Sequence, residues 1–191
     1  MRTTLLLAAL AFASCAHENK VTNVDSHAVA PVKARATLEP KSGASTTGEV
    51  KFAETAGEVT MQLSVSGATP GNHAVHLHVN GDCSSADGES AGPHWNPSEE
   101  AHGHLGHGPA HKGDIGNLVV GADGKGTLSF TTKEWTMGSG QKNDLVGRAV
   151  VVHASEDDFK SQPSGNAGGR IACGVVVLNG QVDEGVSGAN R

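Results

Sequence analysis

Histidine is concentrated in one part of this sequence. The chain has 191 residues and 11 histidines, and most of these side chains lie between positions 73 and 111. They are His73, His76, His78, His94, His102, His104, His107 and His111. Because the neutral imidazole is the side chain that most often binds metal ions, this concentration indicates a metal site.

His76-Leu77-His78 is the first pair whose spacing could hold an ion. The pair lies in a run typical of a β-strand, where side chains at i and i+2 project from the same face. Two solvent-facing histidines would give the same pattern, so the pair alone is a weak signal for copper. Further ligands are needed to support it.

Ligands of a suitable type follow in the sequence. His94 and His102 are succeeded by His111 and, three residues later, by Asp114. Three imidazoles and one carboxylate form the kind of closed tetrahedral set that zinc prefers. The segment therefore predicts a zinc site beside the histidine pair.

Two later motifs complete the pattern. His153 ends a valine-rich run, and Arg170 lies three residues before Cys173. With these motifs, the sequence from about residue 33 to 178 resembles the copper/zinc superoxide dismutases, and among them the bacterial secreted branch. The resemblance implies an enzyme that converts superoxide to oxygen and hydrogen peroxide by redox cycling of copper, while zinc serves structure and electrostatics.

The resemblance also implies a role for each matching residue. The implied copper ligands are His76, His78, His94 and His153. The implied zinc ligands are His94, His102, His111 and Asp114. His94 is thus expected to bridge the two ions and to carry a proton. Arg170, which matches the arginine beside the open face of copper, is the second predicted catalytic residue.

Three further positions match the family. Asp157 corresponds to the carboxylate that links the copper-side and zinc-side histidines. Cys83 and Cys173 correspond to the family disulfide, and their pairing also follows from an oxidising compartment if Cys15 bears lipid. The interval from Cys83 to His94 is longer than in animal members, which predicts a reshaped disulfide loop.

Five histidines fall outside the implied ligand sets, and two of them, His17 and His27 in the predicted tether, have no expected role. His104 and His107 lie in the predicted zinc loop and are expected to face solvent, with capture of a second metal as the alternative. His73 is expected to make a structural hydrogen bond rather than a metal contact.

Short strands, not helices, are expected to position these residues. Val59 to Ser66 alternates apolar and polar residues, which predicts a half-buried strand with Met61, Leu63 and Val65 inward. The segment 117–132 indicates a hairpin with a glycine-rich turn. Other strand-like runs lie at 34–40, 47–54, 73–80, 146–153 and 171–178. The sequence predicts an all-β fold, an eight-stranded antiparallel Greek-key barrel or sandwich with long metal-binding and electrostatic loops at about 81–115 and 154–170.

The N-terminal segment predicts export. An apolar run from Thr3 to Ala13 follows Met1-Arg2 and is too short for a permanent membrane helix, as in a signal peptide. The small residues before Cys15 resemble the lipobox of bacterial lipoproteins; an ordinary secretory peptide, with Cys15 discarded or free, is the alternative. The predicted divisions are a signal peptide at 1–14, a lipidated flexible tether at 15–32, the superoxide dismutase domain at 33–180 and a C-terminal tail at 181–191.

The charge balance narrows the expected partners. The formal net charge is −6 and no basic stripe is present, so nucleic acid is not an expected partner. The expected partners are the superoxide anion and, through lipid at Cys15, a membrane of the periplasm or cell envelope; a homodimer stays open. The alternative function is a periplasmic copper- and zinc-binding lipoprotein on the same fold, without dismutase activity.

Overall fold

The structure, a computed structural model, describes residues 31–180. The predicted signal peptide, the lipidation site Cys15 and the tail 181–191 lie outside the described residues. So do His17 and His27, for which no role is predicted. Within residues 31–180, no helix is both long and apolar enough to cross a membrane.

Nine β-strands form one sheet in which every pairing is antiparallel. They are β1 (Val32–Pro40), β2 (Thr47–Thr55), β3 (Glu58–Ser66), β4 (Gly71–His78), β5 (Asp114–Val120), β6 (Gly126–Thr132), β7 (Ala149–His153), β8 (Arg170–Val175) and β9 (Val177–Leu178). The neighbours run β2-β3-β6-β5-β4-β7-β8-β1, and β1 also pairs with β2. Eight strands thus close into a Greek-key barrel, which confirms the predicted fold class, and the short β9 adds to β1.

The predicted run 171–178 is the one that the structure divides. Val176, between β8 and β9, is fully buried. Its N–H donates to the carbonyl of Arg148, and its own carbonyl accepts from Gly147 N–H, each at 2.9 Å. The chain leaves the ladder here because the N–H and the carbonyl of Val176 both bond to the loop that precedes β7. A short 3₁₀ turn, Glu89–Ala91, was also not predicted.

The barrel interior follows the alternation seen in the sequence. On β3, Val59, Met61, Leu63 and Val65 are buried, and the residues between them are more exposed, so the predicted inward positions are confirmed. Burial of alternate residues is what an antiparallel strand with one covered face requires. Trp135, from the loop after β6, completes this core with a fully buried ring.

Strands β4 and β7 differ because they are buried on both faces. Val75 and Leu77 belong to the barrel core. His76 and His78 alternate with them, so their rings lie on the outer face of the wall, where they are nevertheless buried. What covers them is two loops, residues 79–113 between β4 and β5 and residues 154–169 between β7 and β8. The metal-binding chemistry predicted for this segment therefore lies between barrel wall and loops.

A disulfide holds the first of these loops to the barrel. Cys83 and Cys173 are bonded, with Cα atoms 5.7 Å apart, as predicted. The bridge spans 90 residues of sequence, so in the simplest chain model its entropic effect raises the free energy of the unfolded state by about 4–5 kcal/mol at 25 °C. The buried Lys41 adds a second tie, since its ammonium donates to the Cys83 carbonyl at 2.5 Å.

Candidate metal centre

Two irregularities in strand pairing lie next to the histidines of the barrel wall. On β4 the register shifts between Val75 and His76, and on β7 it shifts between Val152 and His153. Such bulges turn a side chain away from the direction that the regular pleat would give it. The ring centroids of His76 and His153, from two neighbouring strands, are 4.9 Å apart.

Four buried imidazoles form the first cluster. His76, His78, His94 and His153 each offer one ring nitrogen, and these nitrogens lie within 4.8 Å of one another. The opposite nitrogens are held from behind: His78 Nδ1 is 2.7 Å from the Gly92 carbonyl, and His153 Nδ1 is 3.2 Å from that of Gly168. When each Nδ1 carries the ring hydrogen and donates it to its carbonyl, each Nε2 is left with a lone pair. The two Nε2 atoms lie 3.3 Å apart. Paired lone pairs at this distance call for a cation between them.

The second cluster consists of three imidazoles and a carboxylate. Asp114 Oδ1 lies 2.9 Å from His94 Nδ1, 3.0 Å from His102 Nδ1 and 3.2 Å from His111 Nδ1. Ligands of a tetrahedral zinc ion, each about 2.0–2.1 Å from the metal, lie about 3.3 Å apart. The other oxygen, Asp114 Oδ2, accepts the N–H groups of Gly103 and His111, both at 2.9 Å. The carboxylate is therefore fixed by the loop and aimed at the rings.

His94 belongs to both clusters. Its Nδ1 lies in the second cluster, and its Nε2 faces the first, with the ring centroid 3.9 Å from that of His76. The chain around it runs along β4: Trp95 N–H donates to the Leu77 carbonyl at 2.8 Å, and Val79 N–H to that of Pro93 at 3.0 Å. The loop thus extends the barrel wall, and this fixes the ring between the two groups.

The residues present fit two metal ions. Four buried ring nitrogens lack a hydrogen-bond partner within residues 31–180, namely His76 Nδ1, His94 Nε2, His102 Nδ1 and His111 Nδ1. Each unpaired buried polar group costs about 1–3 kcal/mol, and all four point into the clusters. His102 Nδ1 lies close to Asp114 Oδ1 but is not aligned for a hydrogen bond. Imidazole and carboxylate donors suit copper and zinc, which would satisfy all four nitrogens.

Asp157 connects the two clusters from behind. Its Oδ2 lies 2.8 Å from His76 Nε2, and its Oδ1 lies 2.9 Å from His102 Nε2. Asn117 clamps its backbone: the amide oxygen accepts Asp157 N–H at 2.8 Å, and the amide nitrogen donates to its carbonyl at 2.9 Å. Asn117 was not among the predicted site residues. Its position three residues after Asp114 on the same barrel strand was the available signal.

Burial keeps the rings of the first cluster neutral. It lowers the pKa of His76 to about 4, although a hydrogen bond to a carboxylate opposes the shift. Burial also lowers the pKa of His78 and of His153 well below the usual imidazole value. The pKa of His94 is lowered for the same reason, against the opposing effect of Asp114. A metal requires neutral imidazole, and these rings supply it at pH 7.

The second cluster has the opposite electrostatics. Burial alone would lower the pKa of His102, but the adjacent carboxylates of Asp114 and Asp157 override it and raise the pKa to about 9. Burial would raise the pKa of the Asp114 and Asp157 carboxyls, yet close contacts with the surrounding histidines hold each pKa far below its usual range. Two ionised carboxylates thus create a negative field that favours any cation, whether a proton or a metal.

A cavity of about 800 Å³ opens over the first cluster. His78, His94 and His153 line it, and so do Arg170 and Lys142. The Arg170 guanidinium donates from Nη1 to the Gly88 carbonyl at 2.8 Å, and its Nη2 lies 2.9 Å from Glu89 Oε2. The structure therefore brings Arg170 to the same opening as the histidines of the first cluster.

The family model described as copper/zinc superoxide dismutase matches residues 46–176. The chain belongs to this family. Among the curated proteins, Superoxide dismutase [Cu-Zn] 2 of Brassica juncea is 42% identical over 140 residues, which cover 70% of this chain and 90% of the relative. The crystal structure of the clock protein EA4 matches with a TM-score of 0.69 at 32% identity, over 78% of this chain and 95% of that one.

Among the described residues of this superoxide dismutase family member, three histidines lie outside both clusters. His73 makes the expected structural contacts, with Nδ1 2.7 Å from the His153 carbonyl and Nε2 2.8 Å from that of Thr69. His107 is exposed, as expected. His104 is not: it is half-buried, with its ring stacked against those of His107 and Phe159.

Gly165 lies directly against the Asp157 carboxylate. It has a φ of +65°, and a Cβ at this position would overlap Asp157 Oδ1 and come within 2.7 Å of His102 Nε2. A glycine is needed here for two reasons, the left-handed backbone and the close approach. Sequence reasoning missed this residue, since the sequence has 26 glycines and no spacing marks this one.

Gly165→Ala should weaken zinc binding by about 10- to 100-fold, because the new methyl group displaces the carboxylate that orients His102. The matched control is Gly57→Ala, in the turn between β2 and β3, where φ is +78° and nothing lies within 4 Å of the added Cβ. Both variants lose about 1–2 kcal/mol of stability from the left-handed backbone. Competition with a chelating dye measures the zinc affinity, and equal affinities in the two variants would contradict the role assigned to Gly165.

Proposed function

We propose that this chain catalyses the disproportionation of superoxide to oxygen and hydrogen peroxide. The observation that carries the proposal is the position of His94, whose ring is shared by two buried ligand clusters beside an open cavity. Family membership supports the same activity. The positive side chains at the cavity mouth suit an anionic substrate.

We assign the two clusters to the two metals. Copper would be held by His76, His78, His94 and His153. Zinc would be held by His94, His102, His111 and Asp114. When bound, copper supplies reversible one-electron transfer, and zinc supplies positive charge and fixes ligand orientation. The all-imidazole set suits the redox metal, while the set with a carboxylate suits a closed zinc site.

His94 is the residue that moves a proton in this proposal. Its Nδ1 stays with Asp114 in the second cluster, and its Nε2 faces the cavity side, where it can hold a proton and release it to reduced substrate. Because burial disfavours the charged ring, Nε2 gives up that proton readily. One superoxide loses an electron and leaves as oxygen. A second superoxide gains an electron, the His94 proton and one proton from water, and leaves as hydrogen peroxide.

Arg170 is proposed to attract and orient the substrate. The net charge of the whole chain is −6, but at about 0.15 M salt the Debye length is about 8 Å, so distant negative charges are screened. The local charges at the cavity mouth then decide the approach of an anion. Glu89 occupies one side of the guanidinium and competes with substrate for it.

The function is tested with purified protein loaded with both metals. Wild type should consume superoxide, and His94→Ala should lose at least about 100-fold of that activity per bound copper, because it removes both the shared ligand and the proton carrier. Metal content is measured on the same samples. Stoichiometric copper and zinc without superoxide consumption by the wild type would favour a metal-binding lipoprotein instead.

Arg170→Ala should lower kcat/KM by about tenfold and flatten its decline with ionic strength, while copper stays bound. Glu89→Gln is the matched comparison, because it removes the competing charge from the same ion pair and should raise kcat/KM at low salt. The measurement is a series of initial rates across ionic strengths. Identical salt dependence in wild type and Arg170→Ala would remove Arg170 from the mechanism.

We also propose, from the sequence, that the chain is exported and carries lipid at Cys15, which tethers the domain to a membrane of the periplasm or cell envelope. Cys15→Ser should shift the protein from the membrane fraction to the soluble fraction of cells that process bacterial lipoproteins. Recovery of both forms in the soluble fraction would contradict the anchor. We propose no homodimer, because the described residues expose only two large hydrophobic side chains, Val32 and Val119, on which an apolar interface could form.

A further inference from the structure

Three aromatic rings are stacked between the two loops that cover the metal centre. The ring centroids of His104 and Phe159 are 4.4 Å apart with the planes at 18°, and those of His104 and His107 are 4.2 Å apart at 25°. His104 and His107 belong to loop 79–113, and Phe159 belongs to loop 154–169. His104 is thus the ring through which the stack joins the two loops.

His104 is also seated against the barrel. Gly116 on β5 leaves the space for its ring, since a Cβ at that glycine would come within 3.3 Å of His104 Nε2. The imidazole is therefore stacked against two rings and has a glycine at its edge. This packing accounts for its half-buried state.

Phe159 has an unusual backbone. Its φ is +60°, in the left-handed region that a bulky side chain rarely adopts and that costs free energy unless other contacts hold it. In this conformation its N–H donates to Asp157 Oδ1 at 2.7 Å. The same oxygen lies 2.9 Å from His102 Nε2. The backbone of Phe159 and the orientation of a ligand histidine thus share one carboxylate oxygen.

We propose that His104 is a positioning residue for the metal centre. Its ring holds that of Phe159, which keeps Phe159 left-handed and its N–H on Asp157, and Asp157 in turn orients His102 and His76. The inference rests on the proposed function for the identity of the metals. It gives a role to a histidine that the ligand clusters leave unused.

The stacked geometry argues against metal capture by the two extra histidines. The lone pair of an imidazole nitrogen lies in the ring plane, so nearly parallel stacked rings direct their nitrogens past each other rather than at one ion. Neither His104 nor His107 belongs to a metal-binding group found in the part of the chain that the structure describes.

The test compares two substitutions at one position in the full chain. His104→Ala removes the ring and should weaken zinc affinity by about tenfold, measured by competition with a chelating dye. His104→Phe keeps a stacking ring but has no nitrogen that binds metal, and it should restore the wild-type affinity. Cobalt(II) in the zinc site supplies a second readout, because its visible spectrum reports ligand geometry: the spectrum should change in His104→Ala and return in His104→Phe.

Two further variants locate the effect. Phe159→Leu should weaken zinc affinity as His104→Ala does, and the double variant should be no worse than either single one, since both remove one contact. His107→Ala removes a ring that touches His104 but not Phe159, and it should leave zinc affinity within about twofold of wild type.

Each result supports or overturns the proposal. Unchanged zinc affinity in His104→Ala, or additive losses in the double variant, would overturn it. Equal losses in His104→Phe and His104→Ala would also overturn it and would favour a role for the ring nitrogens. These readouts do not use superoxide, so a wild type without dismutase activity would refute the proposed function and leave this inference standing.

Discussion

Buried imidazole nitrogens that face one another without hydrogen bonds are the constraint on which the rest of the structure depends. Four such nitrogens lie in the two clusters, and each would destabilise the fold if nothing satisfied it. The surrounding protein fixes three of these rings from the far side, because Asp157 holds His76 and His102 and Asp114 holds His94. Folding of the chain therefore arranges the ligand atoms before a metal binds, and metal binding in turn stabilises the fold.

The barrel supplies rigidity on one side of this arrangement, and the loops supply it on the other. His76 and His78 project from a wall whose inner face is the hydrophobic core, so these rings cannot move without disturbing the barrel. His94 and His102 come from a long loop, which has no such support of its own. The disulfide at Cys83, the ladder from Leu77 to Trp95 and the carboxylate of Asp157 replace it.

Much of this could be predicted from the sequence, and the limits are physical. Alternating runs such as Val59 to Ser66 predict strands because burial of one face requires that pattern, and the resemblance to a family indicated which histidines converge. The division between β8 and β9 was not predictable, because it depends on hydrogen bonds from Val176 to a distant loop. Asn117 and Gly165 were missed for a related reason. Their roles depend on backbone approach in three dimensions, which residue types alone do not specify.

The carboxylate of Asp114 has a consequence beyond ligand geometry. One of its oxygens faces the ring nitrogens, and the other accepts the backbone N–H groups of Gly103 and His111. The shape of loop 79–113 and the occupancy of the second cluster are therefore thermodynamically linked through a single side chain. With zinc in this cluster, as proposed, a scarcity of zinc would destabilise the loop together with the site and so disturb the alignment of the proposed copper ligands.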